Sequence, residues 1–268
     1  FVKNFISNNT PYNGVLLWHG VGVGKTCAAI SIAENFRSIV YQNDKKILVL
    51  TPSDTIQQNW RDEIFSIEKE NNNFLNLNVQ CTGTKYKDSL LNFKDKTYKQ
   101  KVLMANRLIN KYYEIQGYQK LTNEIDNQFK SFKDFYKESS LENRKIKYIK
   151  EKFSNRIIIM DEVHVTREGG GKDDKKSRPY LEMIARYADN TKIILLTATP
   201  MYNISKEIIW LINLLLLNDK QSPIEEEHIF QKNGIDIVKY PEDKKKGREP
   251  KALEYLIKKS RGYISYLR

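Results

Sequence analysis

The clearest pattern along the chain is a set of short, nearly continuous apolar runs, Gly14 to Trp18, Lys46 to Leu50, Arg156 to Met160 and Lys192 to Leu196, built mostly from Val, Ile and Leu. A strand with one wet face alternates apolar and polar residues, whereas a strand covered on both faces does not. Each of the first three runs leads into a segment of helical spacing. The connections are therefore crossovers, and the strands are expected to lie mostly parallel with helices against both faces. The fold class is α/β.

Further elements follow from local signals. Pro52-Ser53-Asp54 supplies an N-cap for a helix over Thr55 to Glu68 that places Trp60, Ile64 and Ile67 on one face. Asn71 to Asn73 reads as a surface turn, and Asn76 to Cys81 alternates like a half-covered strand leading into Thr82-Gly83-Thr84. Lys85 to Asn155 is rich in Lys, Tyr and Asn at helical spacing and is expected to be a helical insertion, with Tyr113 to Tyr118 a candidate for one further strand. Gly169-Gly170-Gly171 and the charges from Lys172 to Lys176 predict a flexible loop over Arg167 to Arg178. Asp243 to Arg248 is a second solvated charge run and a candidate DNA contact. Ile208 to Leu217 is about half the length a bilayer requires and contains Asn213, so it reads as a buried helix and not a membrane span. Tyr263 to Tyr266 is strand-like. One domain over residues 1–268 accommodates all of this.

Composition adds a partner class. Lys and Arg number 45 against 33 acids, a net charge of +12, which favours a polyanion such as nucleic acid and salt-sensitive binding. The chain's codon-biased richness in Asn, Lys, Ile and Tyr inflates that count. No secretory leader pattern is visible. Cys27 and Cys81 stand far apart without partner spacing, which predicts neither a disulfide nor a metal framework and suits a reducing compartment.

The chemistry begins at His19-Gly-Val-Gly-Val-Gly-Lys-Thr26, between an apolar strand and a helix over Cys27 to Phe36. That is the setting of a phosphate-binding loop. Glycines 20, 22 and 24 let backbone N–H groups turn toward phosphates, and the helix N-terminus adds partial positive charge. Gly20, Val21, Gly22, Val23, Gly24, Lys25, Thr26 and Cys27 are the expected ATP-binding residues. Lys25 is expected to reach the β- and γ-phosphates and Thr26 to ligate Mg²⁺ through its hydroxyl. His19 stands where the strict motif has Gly and is expected to pack beside the loop.

Ile157-Ile-Ile-Met-Asp161-Glu162-Val163-His164 is a buried strand ending in two carboxylates. Phosphoryl transfer to water needs both: Asp161 to hold the Mg²⁺ shell, Glu162 to position and deprotonate the attacking water. One strand later, Thr197-Ala198-Thr199 brings hydroxyls to the carboxyl edge of the sheet, near Asp161 and His164, where open parallel sheets bind ligands.

Taken in order, these motifs resemble the first RecA-like domain of a DExH-box superfamily 2 helicase. The phosphate loop stands as motif I, Leu50-Thr51-Pro52-Ser53 as motif Ia, Cys81-Thr82-Gly83-Thr84 as motif Ib, Asp161-Glu-Val-His164 as motif II and Thr197-Ala-Thr199 as motif III. Thr10 to Leu17, Thr197 to Asn203 with Glu207 to Leu214, and Gly262 to Arg268 are similar to helicases of nucleocytoplasmic large DNA viruses, relatives of poxviral transcription helicases and Swi/Snf-type translocases. The resemblance implies an RecA-like P-loop NTPase fold and a nucleic-acid-dependent ATPase with ATP and Mg²⁺ as cofactors. It makes Lys25, Asp161, Glu162 and His164 catalytic. It places Thr51, Pro52, Thr82 and Gly83 on nucleic-acid phosphates, and Thr197, Ala198 and Thr199 in coupling nucleotide state to domain movement. DNA is favoured over RNA as the track. The other expected partners are a second RecA-like domain and viral transcription proteins, with no membrane. The implied location is the host cytoplasm, viral factory or virion. Motifs IV to VI, with the arginine finger, would lie in that second domain, so hydrolysis by this chain alone is expected to be slower by roughly 10³-fold or more. No Gln-containing motif precedes the phosphate loop, so adenine selectivity falls to Phe5 or Tyr12. A different class remains open on the sequence: a nucleotide-gated binding module of a viral transcription complex that never unwinds a duplex.

Overall fold

The computed structural model describes residues 2–7, 9–71, 80–90, 96–166, 174–201, 207–230 and 251–267. Its frame is a six-stranded sheet of β1 (Gly14–His19), β2 (Ile47–Thr51), β3 (Tyr113–Gly117), β4 (Ile157–Met160), β5 (Lys192–Thr197) and β6 (Ile264–Leu267) in the order β3-β2-β4-β5-β1-β6. Every pairing is parallel. The apolar runs are thus the strands, and their lack of alternation has the predicted cause. Leu16, Leu48, Leu50, Ile158, Met160, Ile193 and Leu195 face one apolar layer. Their neighbours Val15, Leu17, Ile47, Val49, Ile157, Ile159, Ile194 and Leu196 face the other.

The second of those layers is closed by α1 (Val2–Phe5), α2 (Lys25–Gln42), α3 (Asp54–Ile64), α4 (Ile67–Asn71), α5 (Lys85–Leu90) and α6 (Tyr98–Tyr112). The first is closed by α7 (Tyr118–Phe135), α8 (Glu138–Phe153), α9 (Asp174–Tyr187), α10 (Glu207–Asn218) and α11 (Lys251–Ser260). Helix α10 is the apolar run Ile208 to Leu217. It lies so close to β1 that a Cβ on Gly14 would meet Leu215 Cδ2 at 2.8 Å. Among the described residues no helix is long and apolar enough to cross a membrane.

Several expectations need correction. The helix over Thr55 to Glu68 starts as predicted, with Ser53 Oγ accepting the Ile56 N–H, but it stops at Ile64 because Phe65 is extended. The described part of Lys85 to Asn155 is helical except for one strand. The further strand suggested at Tyr113 to Tyr118 is present as β3, which pairs with β2 along Ile47 to Thr51, with α6 before it and α7 and α8 after it. The loop expected over Arg167 to Arg178 is helical from Asp174 onward, with Pro179 inside α9. Residues 167–173 lie outside the described residues, as do 243–248. Of the strand expected over Asn76 to Cys81, residues 76–79 lie outside the described residues, while Gln80 and Cys81 form a bend and turn.

One buried contact set was not visible in the sequence. Glu34, mid-way along α2, accepts the Tyr113 hydroxyl at 2.7 Å and the Tyr86 hydroxyl at 3.3 Å, with Arg37 at 3.2 Å. Burial first, then the Glu34 charge, pushes both phenols well above their ordinary range. This cluster ties the helix behind the phosphate loop to β3 and to α5.

Candidate nucleotide site

Strand order explains why three separate motifs meet. β5 lies between β1 and β4, with Trp18 opposite Thr197 and Met160 opposite Leu195. The phosphate loop and the Asp161-Glu162 pair therefore leave the same edge roughly 10 Å apart, two strand spacings, and Thr197 leaves it between them.

At the end of β1 the chain turns through Gly22 (φ 78°) and Gly24 (φ 82°) before α2 begins at Lys25. Both angles lie in the left-handed region that glycine adopts without strain. Val21 at the tip is 88% exposed. Lys25 Nζ donates to the carbonyls of His19 and Gly20 at 2.9 and 3.0 Å, so the ammonium lies along its own loop. His19 is buried and its Nε2 lies 2.9 Å from Ser265 Oγ on β6. Burial, with Lys25 nearby, pushes its imidazole below the ordinary histidine range. It packs beside the loop, as expected.

At the end of β4, Asp161 is buried and held from three sides. Trp60 Nε1 donates to Oδ2 at 2.7 Å, the Glu162 N–H donates to Oδ1 at 2.9 Å, and the Tyr118 hydroxyl donates to the Asp161 carbonyl at 2.9 Å. Burial raises the Asp161 carboxyl above its usual range, while the Trp60 bond pulls it back. Glu162 adopts φ 46°, a backbone region uncommon outside glycine. The 3₁₀ turn Val163–Thr166 then carries His164 back over the sheet. His164 Nδ1 lies 3.2 Å from Glu162 Oε2 and 2.9 Å from Thr197 Oγ1. With the proton on Nδ1, both oxygens share it. The His164 hydrogen bond is the main reason that the Glu162 carboxyl is held below its ordinary value.

Val21, Gly22, Gly24, Lys25, Thr26, Cys27, Asp161 and Glu162 line one cavity of about 630 Å³. Its remaining wall is α3, through Ile56, Asn59, Trp60, Asp62 and Glu63. The sequence had assigned no nucleotide-site role to α3. A tryptophan on the buried face of a helix needs a partner for its N–H, and that was the available signal. The Thr26 hydroxyl position and the Asp161 carboxylate are hard oxygen donors of the kind Mg²⁺ takes, and each Asp161 oxygen keeps an acceptor direction beyond its one N–H donor. This donor set fits a magnesium ion.

Other assigned residues are placed differently. Thr199 is exposed and its N–H donates to Thr197 Oγ1 at 3.0 Å, so only Thr197 of the pair reaches His164. Ala198 is half-buried between them. Thr51 and Thr82 are buried, with hydroxyls donating to Ser53 O at 3.3 Å and Ile64 O at 2.8 Å. Any polymer contact there rests on backbone groups and on Pro52, which is exposed, and Gly83, which is half-buried. The α3 helix separates the two candidate segments. Phe5 and Tyr12, the adenine candidates, stack on each other with centroids 4.2 Å apart.

The expectation for the cysteines is overturned. Cys27 and Cys81 form a disulfide, with Cα atoms 5.0 Å apart across a sequence separation of 54. Neither is fully buried. Proximity is created where the turn at Cys81 to Thr84 seats on the end of α3, through Thr82 on the Ile64 carbonyl, beside α2, which spacing along the chain could not reveal. The argument from unpaired cysteines for a reducing compartment falls with it. Cys27 lines the cavity through α2, but its sulfur faces Cys81.

A family model described as type III restriction enzyme, res subunit (ResIII), matches residues 2–202. Protein L377 of Acanthamoeba polyphaga mimivirus, an ATP-dependent RNA helicase by name, is 30% identical over 292 positions, covering all of this chain and 22% of the relative. Protein 087L of Invertebrate iridescent virus 3, a helicase by name, is 27% identical over 277 positions, again covering all of this chain and 22% of the relative. The chain thus spans about a fifth of the length of these viral relatives. The Hef helicase domain of Pyrococcus furiosus shows a loose structural likeness, TM-score 0.38 at 17% identity over 76% of this chain and 33% of that one. Because the ResIII match runs from the first helix through the phosphate loop, the acidic pair and Thr199, the chain belongs to that family, with the RecA-like α/β fold of a superfamily 2 first domain.

Proposed function

We propose that the chain binds Mg-ATP in the α2–α3 cavity and serves as the ATP-binding half of a nucleic-acid-dependent translocase or helicase, with duplex DNA the favoured track. The observation that carries this reading is the continuous line Lys25, Asp161, Glu162, His164, Thr197 along one sheet edge. Nucleotide phosphates would replace the His19 and Gly20 carbonyls as partners of Lys25 and accept the N–H groups that Gly22 and Gly24 turn outward. Magnesium, held by Thr26 and by the Asp161 shell, would supply charge neutralisation at the β- and γ-oxygens. Glu162, ionised and half-exposed, is placed to take the proton of an attacking water. His164 touches both Glu162 and Thr197, which makes it the joint between the hydrolytic carboxylate and the segment that follows β5. A net charge of +12 suits a polyanionic track. The RNA named for the mimivirus relative makes RNA the competing track, and ATP hydrolysis measured with each polymer decides between them.

Two expected results arise from this geometry. In a protein that also carries the second domain, His164→Ala removes the main cause that lowers the Glu162 carboxyl. Its ionisation then moves to higher pH, and because Glu162 acts ionised, the acid limb of the ATPase pH profile shifts upward. An unshifted limb would show that His164 does not tune Glu162. Phe5 or Tyr12 is the candidate adenine contact; the two stack on each other outside the cavity lining, and the Tyr12 ring is 40% exposed. Tyr12→Ala should weaken binding of a fluorescent ATP analogue by about tenfold, the scale of one base–aromatic stack, and equal affinity would move the adenine site elsewhere.

A further inference from the structure

Trp60 is nearly inaccessible, at 1% exposure, yet its indole edge reaches the nucleotide cavity and spends its one N–H on Asp161. The χ2 torsion of an aspartate is broad, so a carboxylate plane is not fixed by its own rotamer preference. Here two donors on different oxygens fix it: the Glu162 N–H on Oδ1 and the Trp60 N–H on Oδ2. The first belongs to the same loop and moves with it. The second comes from α3, more than a hundred residues away in sequence, with a separation of 101. We propose that Trp60 is a positioning residue, which through its indole N–H sets the plane of the Asp161 carboxylate so that its free acceptor directions meet the Mg²⁺ shell.

The inference rests on the reading of the cavity as a Mg-ATP site. Its second consequence concerns α3. That helix is capped by Ser53, directly after Thr51 and Pro52, so the orientation of the metal carboxylate is tied to the element that follows those candidate polymer contacts. Trp60 itself need touch neither nucleotide nor metal. Its removal should therefore weaken what Mg²⁺ adds to nucleotide binding, over and above any change that loss of its cavity edge makes without the metal, since outer-shell partners of metal-binding groups typically contribute about 10- to 100-fold in metal affinity.

The test uses this chain with a fluorescent ATP analogue, measured in EDTA and across a Mg²⁺ titration, for wild type, Trp60→Phe and Lys25→Ala. Phenylalanine keeps a flat apolar ring and deletes the N–H. The expected result is a Mg²⁺ concentration for half-maximal tightening raised about tenfold or more in Trp60→Phe, with the affinity of each protein in EDTA setting its own baseline. A purely packing or lining role would change affinity in EDTA and in Mg²⁺ by the same factor and leave the Mg²⁺ midpoint unmoved, and that result overturns the proposal. Undiminished binding by Lys25→Ala would instead sink the ATP-site reading itself. Should Trp60→Phe fail to fold, Trp18→Phe/Trp210→Phe, which retains Trp60 as the one tryptophan of the chain's three, provides a direct readout. Mg²⁺ added to its nucleotide complex must change Trp60 emission, and an indifferent emission overturns the proposal.

Discussion

Glu162→Gln, placed in a protein that carries the second RecA-like domain, should bind Mg-ATP as tightly as wild type and lose ATP turnover by about 10²- to 10⁴-fold, the range of a general base. The amide is isosteric and can still meet His164 Nδ1, now 3.2 Å from the carboxylate, but it cannot accept a proton from water at neutral pH. The neighbouring Asp161 is untouched in its contacts to Trp60 and to the residue-162 backbone N–H, so nucleotide binding should survive. Equilibrium binding and single-turnover hydrolysis separate the two effects. A turnover rate within a few-fold of wild type would show that Glu162 is not the base, and would favour a nucleotide-gated module over a motor.

Loss of the Cys27–Cys81 bridge should be among the largest stability changes available to a single substitution outside the fully buried core. Closing a loop of this length, with a sequence separation of 54, restricts the unfolded chain by about 4 kcal/mol on the chain-entropy model. Cys81→Ser, or treatment of the wild type with a reductant, is therefore expected to lower the urea midpoint markedly. Reductant should have no effect on the serine variant. If oxidised and reduced wild type unfold at the same midpoint, the bridge contributes nothing to the folded protein and the two sulfurs are merely neighbours.

How far the chain could be read in advance depended on whether a feature is local. The four apolar runs became β1, β2, β4 and β5 because a strand buried on both faces leaves its mark in consecutive residues. Ser53 capped α3 as predicted because capping is an interaction across three residues. The phosphate loop and Asp161-Glu162 were legible for the same reason: each motif is contiguous. What could not be read is what α3 and the start of α7 bring from afar. Trp60 stands 101 residues from the carboxylate that it bonds, Tyr118 stands 43, and Cys81 meets Cys27 only once the turn at Cys81 to Thr84 is seated on the end of α3 beside α2. Thr51 and Thr82 mark the opposite failure. A hydroxyl in a motif looks available in sequence, whereas in the fold both hydroxyls are spent on nearby carbonyls. Buried Glu34 on α2 would read from sequence as an exposed helix residue, and only the convergence of Tyr86 and Tyr113 explains it.

The central claim, a nucleic-acid-driven ATPase built on this edge, is tested most directly by measuring ATP hydrolysis in a protein extended through the second RecA-like domain. The assay is run without polymer and with duplex DNA, single-stranded DNA and RNA, beside Lys25→Ala and Glu162→Gln. The account predicts stimulation by one polymer, duplex DNA foremost, that vanishes in both variants. A rate that is the same with every polymer and with none would contradict it.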